Sequence, residues 1–482
     1  MRGNIRNRVA GNISQEDYLK MRKTTILLAS TCAVALAGVA AAKVPADVAA
    51  RLGKDLTPFG AEVAGNADGS IPAWDGGLTA PPSGVSFDPN AKGYPDPFAS
   101  DAPLYTITSG NAGSYGDKLT DGYKALLSKK SGYKMPVYQS RRSCGYPSFV
   151  YDANKKNATI GELLKASDGS LDGNGVSGAI MGAPFPVLSN GLEAVWNHTL
   201  RYRSFKLTRQ FAAFPVQTSG DPISGKITFQ DEAILRWSDP SKARAEDLNN
   251  ISLYYIANTI APARLAGNVV LVHESLNAAV EPRKAWQYNP GTRRVRRAPD
   301  ISYDNPGTNT DGLSTSDAFD GYNGAPDRYD WMLVGKSEKI VPYNNYKMTN
   351  ASYAELVLNG ALNQDLMRYE LHRVWTVQAT LRPGTRHVYS RRVNHQDEDT
   401  YSILATELYD GRGELWRMQE EPQIAYYHVP LCGLAGEIVY DLQDGRYLAG
   451  SLRNEEPPVN YTANELNDAR YSPDAIRRLG TR

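Results

Sequence analysis

The sequence predicts an α+β fold: one large, curled antiparallel sheet with a few helices covering its concave face. Three observations predict it. From about Arg201 onward the chain is dominated by β-branched, aromatic and alternating segments. Pro-Gly or Asp-Gly turns recur between such segments, at Pro290-Gly291, Pro383-Gly384, Asp410-Gly411 and Asp444-Gly445. Helix signals are few and short. A sheet of many strands must twist and curl, and helices laid across it enclose an apolar space.

Taken in order, residues 1–20 are polar and precede Met21, which reads as the true start of translation; they are left out of the fold. Residues 21–42 read as a secretory signal peptide. Arg22 and Lys23 are its positive end, Thr24 to Val39 carry no charge, and Ala40-Ala41-Ala42 supplies small residues for cleavage before Lys43. The apolar run is shorter than the ~20 residues of a membrane span. No twin-arginine pair precedes it, and Cys32 lies inside it, away from a lipidation site. The mature chain is therefore expected to be exported and soluble.

Residues 43–112 are rich in Gly, Pro, Asp and Asn and read as an extended segment laid over a scaffold. Residues 113–482 read as a single α+β domain. Tyr115 to Ser128 has helical spacing, with Leu119, Tyr123, Leu126 and Leu127 on one side. A second helix starts at Asn190, a capping residue with Glu193 three positions on; Leu192, Val195, Trp196 and Leu200 form its apolar stripe. Strands and hairpins follow, around each of the four turns. Ser472-Pro473 opens a short C-terminal helix.

Composition narrows the function. Lysine and arginine number 53 against 52 acidic residues, so no net field draws the chain to nucleic acid or an anionic membrane. Tyrosines number 29 against 10 phenylalanines, which suits half-buried sheet faces. Beyond the signal only Cys144 and Cys432 remain; in an oxidising compartment they either pair across a very long loop or stay as two buried thiols.

Catalytic signatures are sparse. Gly173-Asn174-Gly175-Val176-Ser177-Gly178 matches a dinucleotide fingerprint in letters only, because it runs into Ala183-Pro184-Phe185-Pro186 where a helix should begin. No zinc-protease, nucleophile-elbow or phosphate-loop pattern occurs, and no cofactor or metal is expected. His395-Gln396-Asp397-Glu398-Asp399 holds metal-ligand residue types but reads as a solvated turn between strands. Arg293-Arg294-Val295-Arg296-Arg297 alternates faces in a strand; it reads as a charged edge or as a clamp for an anionic head group.

Several phrases carry a family resemblance. They are Gly65-Asn66-Ala67-Asp68-Gly69-Ser70-Ile71-Pro72-Ala73-Trp74-Asp75-Gly76-Gly77; Pro184-Phe185-Pro186 with Gly191 to His198; Ala261 to Gly267; and Ala325 to Trp331 with Val341 to Tyr346. Together they resemble the domain-of-unknown-function 1329 family of exported Gram-negative proteins. Trp286 to Val295 is similar to the strand-turn-strand of LolA/LolB-type lipoprotein-sorting proteins. That resemblance implies a half-barrel around an apolar cavity, a periplasmic location, and an RND-type exporter and an outer-membrane protein as partners.

The expected function is a non-enzymatic periplasmic carrier or chaperone for a lipid or other hydrophobic molecule. Leu192, Val195, Trp196, Trp286 and Trp375 are the candidate cavity lining, each of which also reads as plain core. Arg293 and Arg296 are the candidates for a head group or partner. The alternatives are an exported hydrolase, with His198 or His273 as first suspects, and an envelope scaffold or sensor without a ligand.

Overall fold

The computed structural model describes residues 44–165, 171–299, 301 and 303–480; the upstream segment 1–20 and the signal peptide 21–42 lie outside the described residues. Helices are α1 (Ala46–Ala49), α2 (Asp121–Lys129), α3 (Ser148–Ile160), α4 (Gly191–Leu200), α5 (Tyr346–Asn350), α6 (Tyr353–Leu356) and α7 (Pro473–Gly480). Strands are β1 (Tyr105–Ile107), β2 (Met135–Tyr138), β3 (Glu162–Lys165), β4 (Leu171–Ser177), β5 (Lys206–Val216), β6 (Ile227–Ile234), β7 (Ile251–Ala261), β8 (Val269–Ser275), β9 (Lys284–Asn289) and β10 (Arg294–Arg297). They continue with β11 (Tyr329–Pro342), β12 (Tyr369–Leu381), β13 (Arg391–Asp397), β14 (Ile403–Tyr409), β15 (Leu415–Glu420), β16 (Gln423–Ala425), β17 (Cys432–Leu434), β18 (Glu437–Asp441) and β19 (Tyr447–Leu452).

Fifteen strands make one open sheet, ordered β1-β2-β12-β13-β14-β15-β18-β19-β5-β6-β7-β8-β9-β10, with β11 on the outer side of β12. All its pairings are antiparallel except β2 with β12. The sheet consists of two meanders, β5–β10 and β11–β15 continued by β18–β19, joined where β19 pairs with β5, with β1 and β2 added beside β12; β3–β4 and β16–β17 form separate two-stranded sheets. The four predicted turns fall between β9 and β10, β12 and β13, β14 and β15, and β18 and β19.

This topology has a consequence. β10 ends one edge of the sheet and β11 forms the other. The chain between them, residues 298–328, must therefore cross the whole sheet, and it does so over one face. It shares that face with α4, which packs on β11 and β12 through Trp196, Val195 and Leu192 against Trp331, Val377 and Ala379. On the other face lie α2, packed on β14 and β15, and α7, packed on β7 to β10.

The helices follow their sequence signals. Thr120 caps α2 by accepting from the Tyr123 N–H. Asn190 caps α4 by accepting from the Glu193 N–H at 3.0 Å, while the Glu193 carboxylate reaches back one residue further than expected, to the Ser189 N–H. Ser472 caps α7. Helix α3 carried no clear apolar stripe, because its inner face is built from asparagines: Asn154 and Asn157 bond the backbone of Ile180 and Ala183.

Residues 50–104 hold no strand or helix and wrap around a tyrosine-rich cluster. Phe59, Phe87, Tyr94 and Phe98 pack there with Tyr146, Tyr343, Tyr346 and Tyr427. Within the wrap, Gly77 has φ +68°, and a Cβ there would sit 2.5 Å from the Cys144 carbonyl carbon, so only glycine fits. Cys144 and Cys432 form a disulfide in this cluster, with Cα atoms 5.5 Å apart. Among the described residues no helix is long and apolar enough to cross a membrane.

The disulfide closes a loop of 288 residues. Replacing both cysteines by serine is expected to cost about 2–5 kcal/mol, through the entropy regained by the unfolded chain. Urea unfolding of oxidised wild type and the double variant checks it; identical midpoints would mean the bond adds no constraint.

Candidate functional site

Above β5–β8, β18 and β19 the crossing segment does not fill the space beneath it. A cavity of about 220 Å³ remains. Its floor is the outward set of alternating strand residues: Phe211 and Ala213 of β5, Phe229 of β6, Tyr255 and Ala257 of β7, Val270 and Val272 of β8, and Leu448 of β19. Its roof is Ile301, Thr308, Thr310 and Ser314 to Ser316. The cavity exists for a simple reason. Under α4 the same face is filled by Trp196, Trp331 and Tyr329, whereas here a floor in which Ala213, Ala257, Val270 and Val272 separate the aromatic rings meets a roof mostly of Ser, Thr and Gly.

The roof is held by two buried aspartates three residues apart. Asp317 accepts from the Arg392 guanidinium at 2.7 Å on each oxygen and faces His387 at 3.1 Å. Asp320 accepts from Arg201 at 2.6 and 2.7 Å and from Arg203 at 2.7 Å. Burial alone would raise the Asp320 carboxyl, but the Arg201 and Arg203 guanidinium groups outweigh it and hold it at about 2. The same competition, won by Arg392 and His387, keeps Asp317 well below the usual carboxylate range.

Between these anchors Phe319 points into the space and divides it. On its far side a second cavity of about 110 Å³ begins, sharing Arg203, Leu253, Tyr255 and Phe319 with the first. This chamber is lined by Arg201, Arg203, Arg209 and Arg453. Arg209 pairs with the buried Asp231 at 3.1 Å, and Asp231 also accepts from the Tyr255 hydroxyl at 2.8 Å. Burial nevertheless pushes Asp231 up to about 6. Glu437, at the boundary between roof and floor, is pushed up as well, first by burial and then by the charge of Asp320. Glu274 is tied to Arg283 at 2.5 Å.

The residues singled out in the sequence lie elsewhere. Leu192, Val195 and Trp196 are core between α4 and the sheet; Trp196 borders only a void of about 20 Å³. Trp286 lies on the opposite face, edge-on to His273 and near α7. Trp375 packs beside the tyrosine cluster, with Lys336 over its ring. None of the five lines the large cavity. Arg293 lies in the β9–β10 turn and Arg296 on the exposed edge strand β10, remote from the chamber arginines in the sheet order.

The suspect histidines are structural. His198 donates from Nε2 to the Asp320 carbonyl at 2.7 Å and accepts at Nδ1 from the Ile403 N–H at 3.1 Å. Burial and the neighbouring Arg201 charge lower it to about 3, so it stays neutral. His273 donates to the Tyr471 carbonyl at 2.8 Å, on the α7 side. No histidine lines either cavity.

One sequence expectation is corrected here: His395 to Asp399 is buried, not solvated. His372, Asp397 and Asp399 bring ligand-type atoms within 4.8 Å of one another. However, both Asp399 oxygens already accept from Arg142, at 2.6 and 2.9 Å, and Glu398 pairs with Arg373 and Lys336. The Arg142 guanidinium thus already neutralises Asp399. These cations come from elsewhere in the chain, so the segment alone gave no sign of them.

Comparison with known proteins places the chain. The profile of the family described as "protein of unknown function (DUF1329)" matches residues 106–477, and the chain belongs to this family. An uncharacterized protein of Pseudomonas aeruginosa, PA3922, is 47% identical over 474 residues, spanning 95% of this chain and all of that one. Among solved structures, a putative outer membrane lipoprotein-sorting protein domain from Vibrio parahaemolyticus aligns with TM-score 0.41 at 11% identity, covering 60% of this chain and 98% of that one. A DUF1329 family protein from Desulfovibrio piger aligns with TM-score 0.36 at 16% identity, covering 57% and 92%. A LolA superfamily protein from Nitrosomonas europaea aligns with TM-score 0.35 at 10% identity, covering 60% and 99%.

Replacing Asp320 by Asn leaves the buried Arg201 and the half-buried Arg203 short of their counter-charge and is expected to cost about 3–5 kcal/mol at pH 7. Because the folded-state pKa is depressed, the stabilisation is full above the unfolded value of ~3.9 and fades as pH falls towards 2. The gap between wild type and Asp320→Asn in thermal unfolding should therefore shrink from pH 5 to pH 2.5. A constant gap would contradict the ion-pair account.

Proposed function

We propose that this protein is a periplasmic carrier or chaperone for a lipid or other hydrophobic molecule, without catalytic activity of its own. The observation that carries this reading is the roofed cavity on β5–β8 and β19, walled by Phe211, Phe229, Val270, Val272 and Leu448. Each CH₂ moved from water to such a wall gains ~0.8 kcal/mol, so an acyl chain binds there without any specific polar contact. The first suspects of the hydrolase reading serve the backbone instead: His198 engages it through both ring nitrogens and His273 through Nε2, and neither lines the cavity.

The signal-peptide reading of residues 21–42 supports the periplasmic location. The RND-type exporter and the outer-membrane protein belong to this proposal as donor and acceptor, on the family resemblance alone.

Native mass spectrometry of protein purified from the periplasm tests the reading, with organic extraction of what is bound. A discrete extra mass that extracts as an apolar molecule is expected. Ala257→Trp, which fills the cavity from its floor, should lose that mass while unfolding within about 1 kcal/mol of wild type. A clean apo mass that persists after incubation with envelope lipids would overturn the carrier.

A further inference from the structure

Resting on the carrier reading, we infer that the ligand is a single-chain anionic amphiphile: its tail lies in the apolar cavity and its carboxylate or phosphate enters the arginine chamber beyond Phe319. Four observations lead there. First, the two cavities are continuous through shared walls, with Phe319 at the neck. Both spaces have largely apolar walls, and four arginines gather around the second, which sets a place for a head at one end of a tail.

Second, the chamber holds more cations than counter-charges. Arg201, Arg203, Arg209 and Arg453 face two carboxylates, Asp320 and Asp231. Arg203 has only a share of Asp320, which Arg201 already grips with two hydrogen bonds. Arg453 donates to the Tyr426 hydroxyl and to the Leu434 and Ser451 carbonyls, and no carboxylate pairs with it among the described residues. Arg201 is buried and the other three are half-buried; excess charge in a partly enclosed space is costly unless something neutralises it, and an incoming anion does so.

Third, donors stand unused. The Nε–H groups of Arg201 and Arg203 are buried with no acceptor among the described residues, and the Arg201 side chain is only 2% exposed. Planar guanidinium groups with free N–H bonds are the preferred partners of carboxylate and phosphate oxygens. Fourth, size limits the tail. The two spaces measure about 220 and 110 Å³, which together reach only the low end of the ~300–1,000 Å³ range of small-molecule sites. One chain fits that space; a lipid with several acyl chains does not.

The test compares head groups on one tail. Hexadecanoate, hexadecyl phosphate and hexadecanol are titrated into the purified protein, followed by intrinsic tryptophan fluorescence and by isothermal titration calorimetry. At least one of the two anions is expected to bind tenfold or more tighter than the alcohol, and which one does so names the head-group chemistry. Arg453→Gln should remove most of that preference and leave hexadecanol affinity unchanged, while Arg453→Lys should restore part of it. The comparison across ligands on wild-type protein stands even where a variant folds poorly. Equal affinity for all three, lost together in Ala257→Trp, would overturn the anionic head group and leave the carrier standing. No binding by any of the three, to protein extracted free of endogenous ligand, would overturn this inference and count against the carrier as well.

Discussion

Two buried aspartates three residues apart hold this molecule's working face together. The segment that crosses from β10 to β11 has few large apolar residues with which to bind the sheet; Leu313, Ala318 and Tyr322 are its buried exceptions. What fixes it is Asp317 on Arg392 and Asp320 on Arg201 and Arg203. Such pairs contribute little net stability compared with an apolar replacement, because each charge must be stripped of water. Their value is positional. An apolar strap slides and collapses into the space beneath it, whereas a bidentate ion pair has one geometry. Fixing the strap at two points, with Gly, Ser and Thr on its inner side, keeps an apolar cavity open beneath it.

The same logic explains the sequence block that contains α4. Asn197 brackets Phe185 through its N–H and carbonyl, at 2.8 and 2.7 Å. The next residue, His198, ties the Asp320 carbonyl to Ile403 of β14. Arg201, just past the helix end, then supplies the main counter-charge. One helix terminus thus connects the loop before it, the crossing segment and the sheet. These residue types look catalytic in a sequence, but Asn197 and His198 spend their polar atoms on backbone and Arg201 is committed to an ion pair.

What was legible in the sequence was what local rules decide. Pro-Gly and Asp-Gly turns fix hairpins from within four residues, and Asn190 and Ser472 announce helices from their first turn. Helix α3 escaped because its buried face is asparagine, which serves backbone groups brought in from residues 180–183. The cavity escaped for a related reason. A floor of Ala213, Ala257 and Val270 reads like any strand, and nothing local tells that the residues packed over it will be small. Tryptophans drew attention instead, yet large side chains fill space; a void forms where they are missing. Cys144 and Cys432 left two readings open, since only the folded chain brings residues 288 positions apart together.

Charge shows the same limit most clearly. Summed over the chain, 53 basic and 52 acidic residues nearly cancel, and the sequence predicts no field. The fold then sorts them. Arg293, Arg294, Arg296 and Arg297, the densest cluster in the sequence, end up exposed on an edge strand, where water screens them. Arg201, Arg203, Arg209 and Arg453 are scattered through the sequence, yet they converge on one partly enclosed chamber where screening is weak. Burial raises Asp231 against the pull of Arg209, and burial together with the Arg201 charge lowers Arg203 to about 10, the repulsion expected of two cations that share one carboxylate. An interior potential of this kind depends on which charges face each other across a low-dielectric gap, not on how many the chain contains. A near-neutral protein can therefore present water with no net field while offering an anion a strongly favourable place inside.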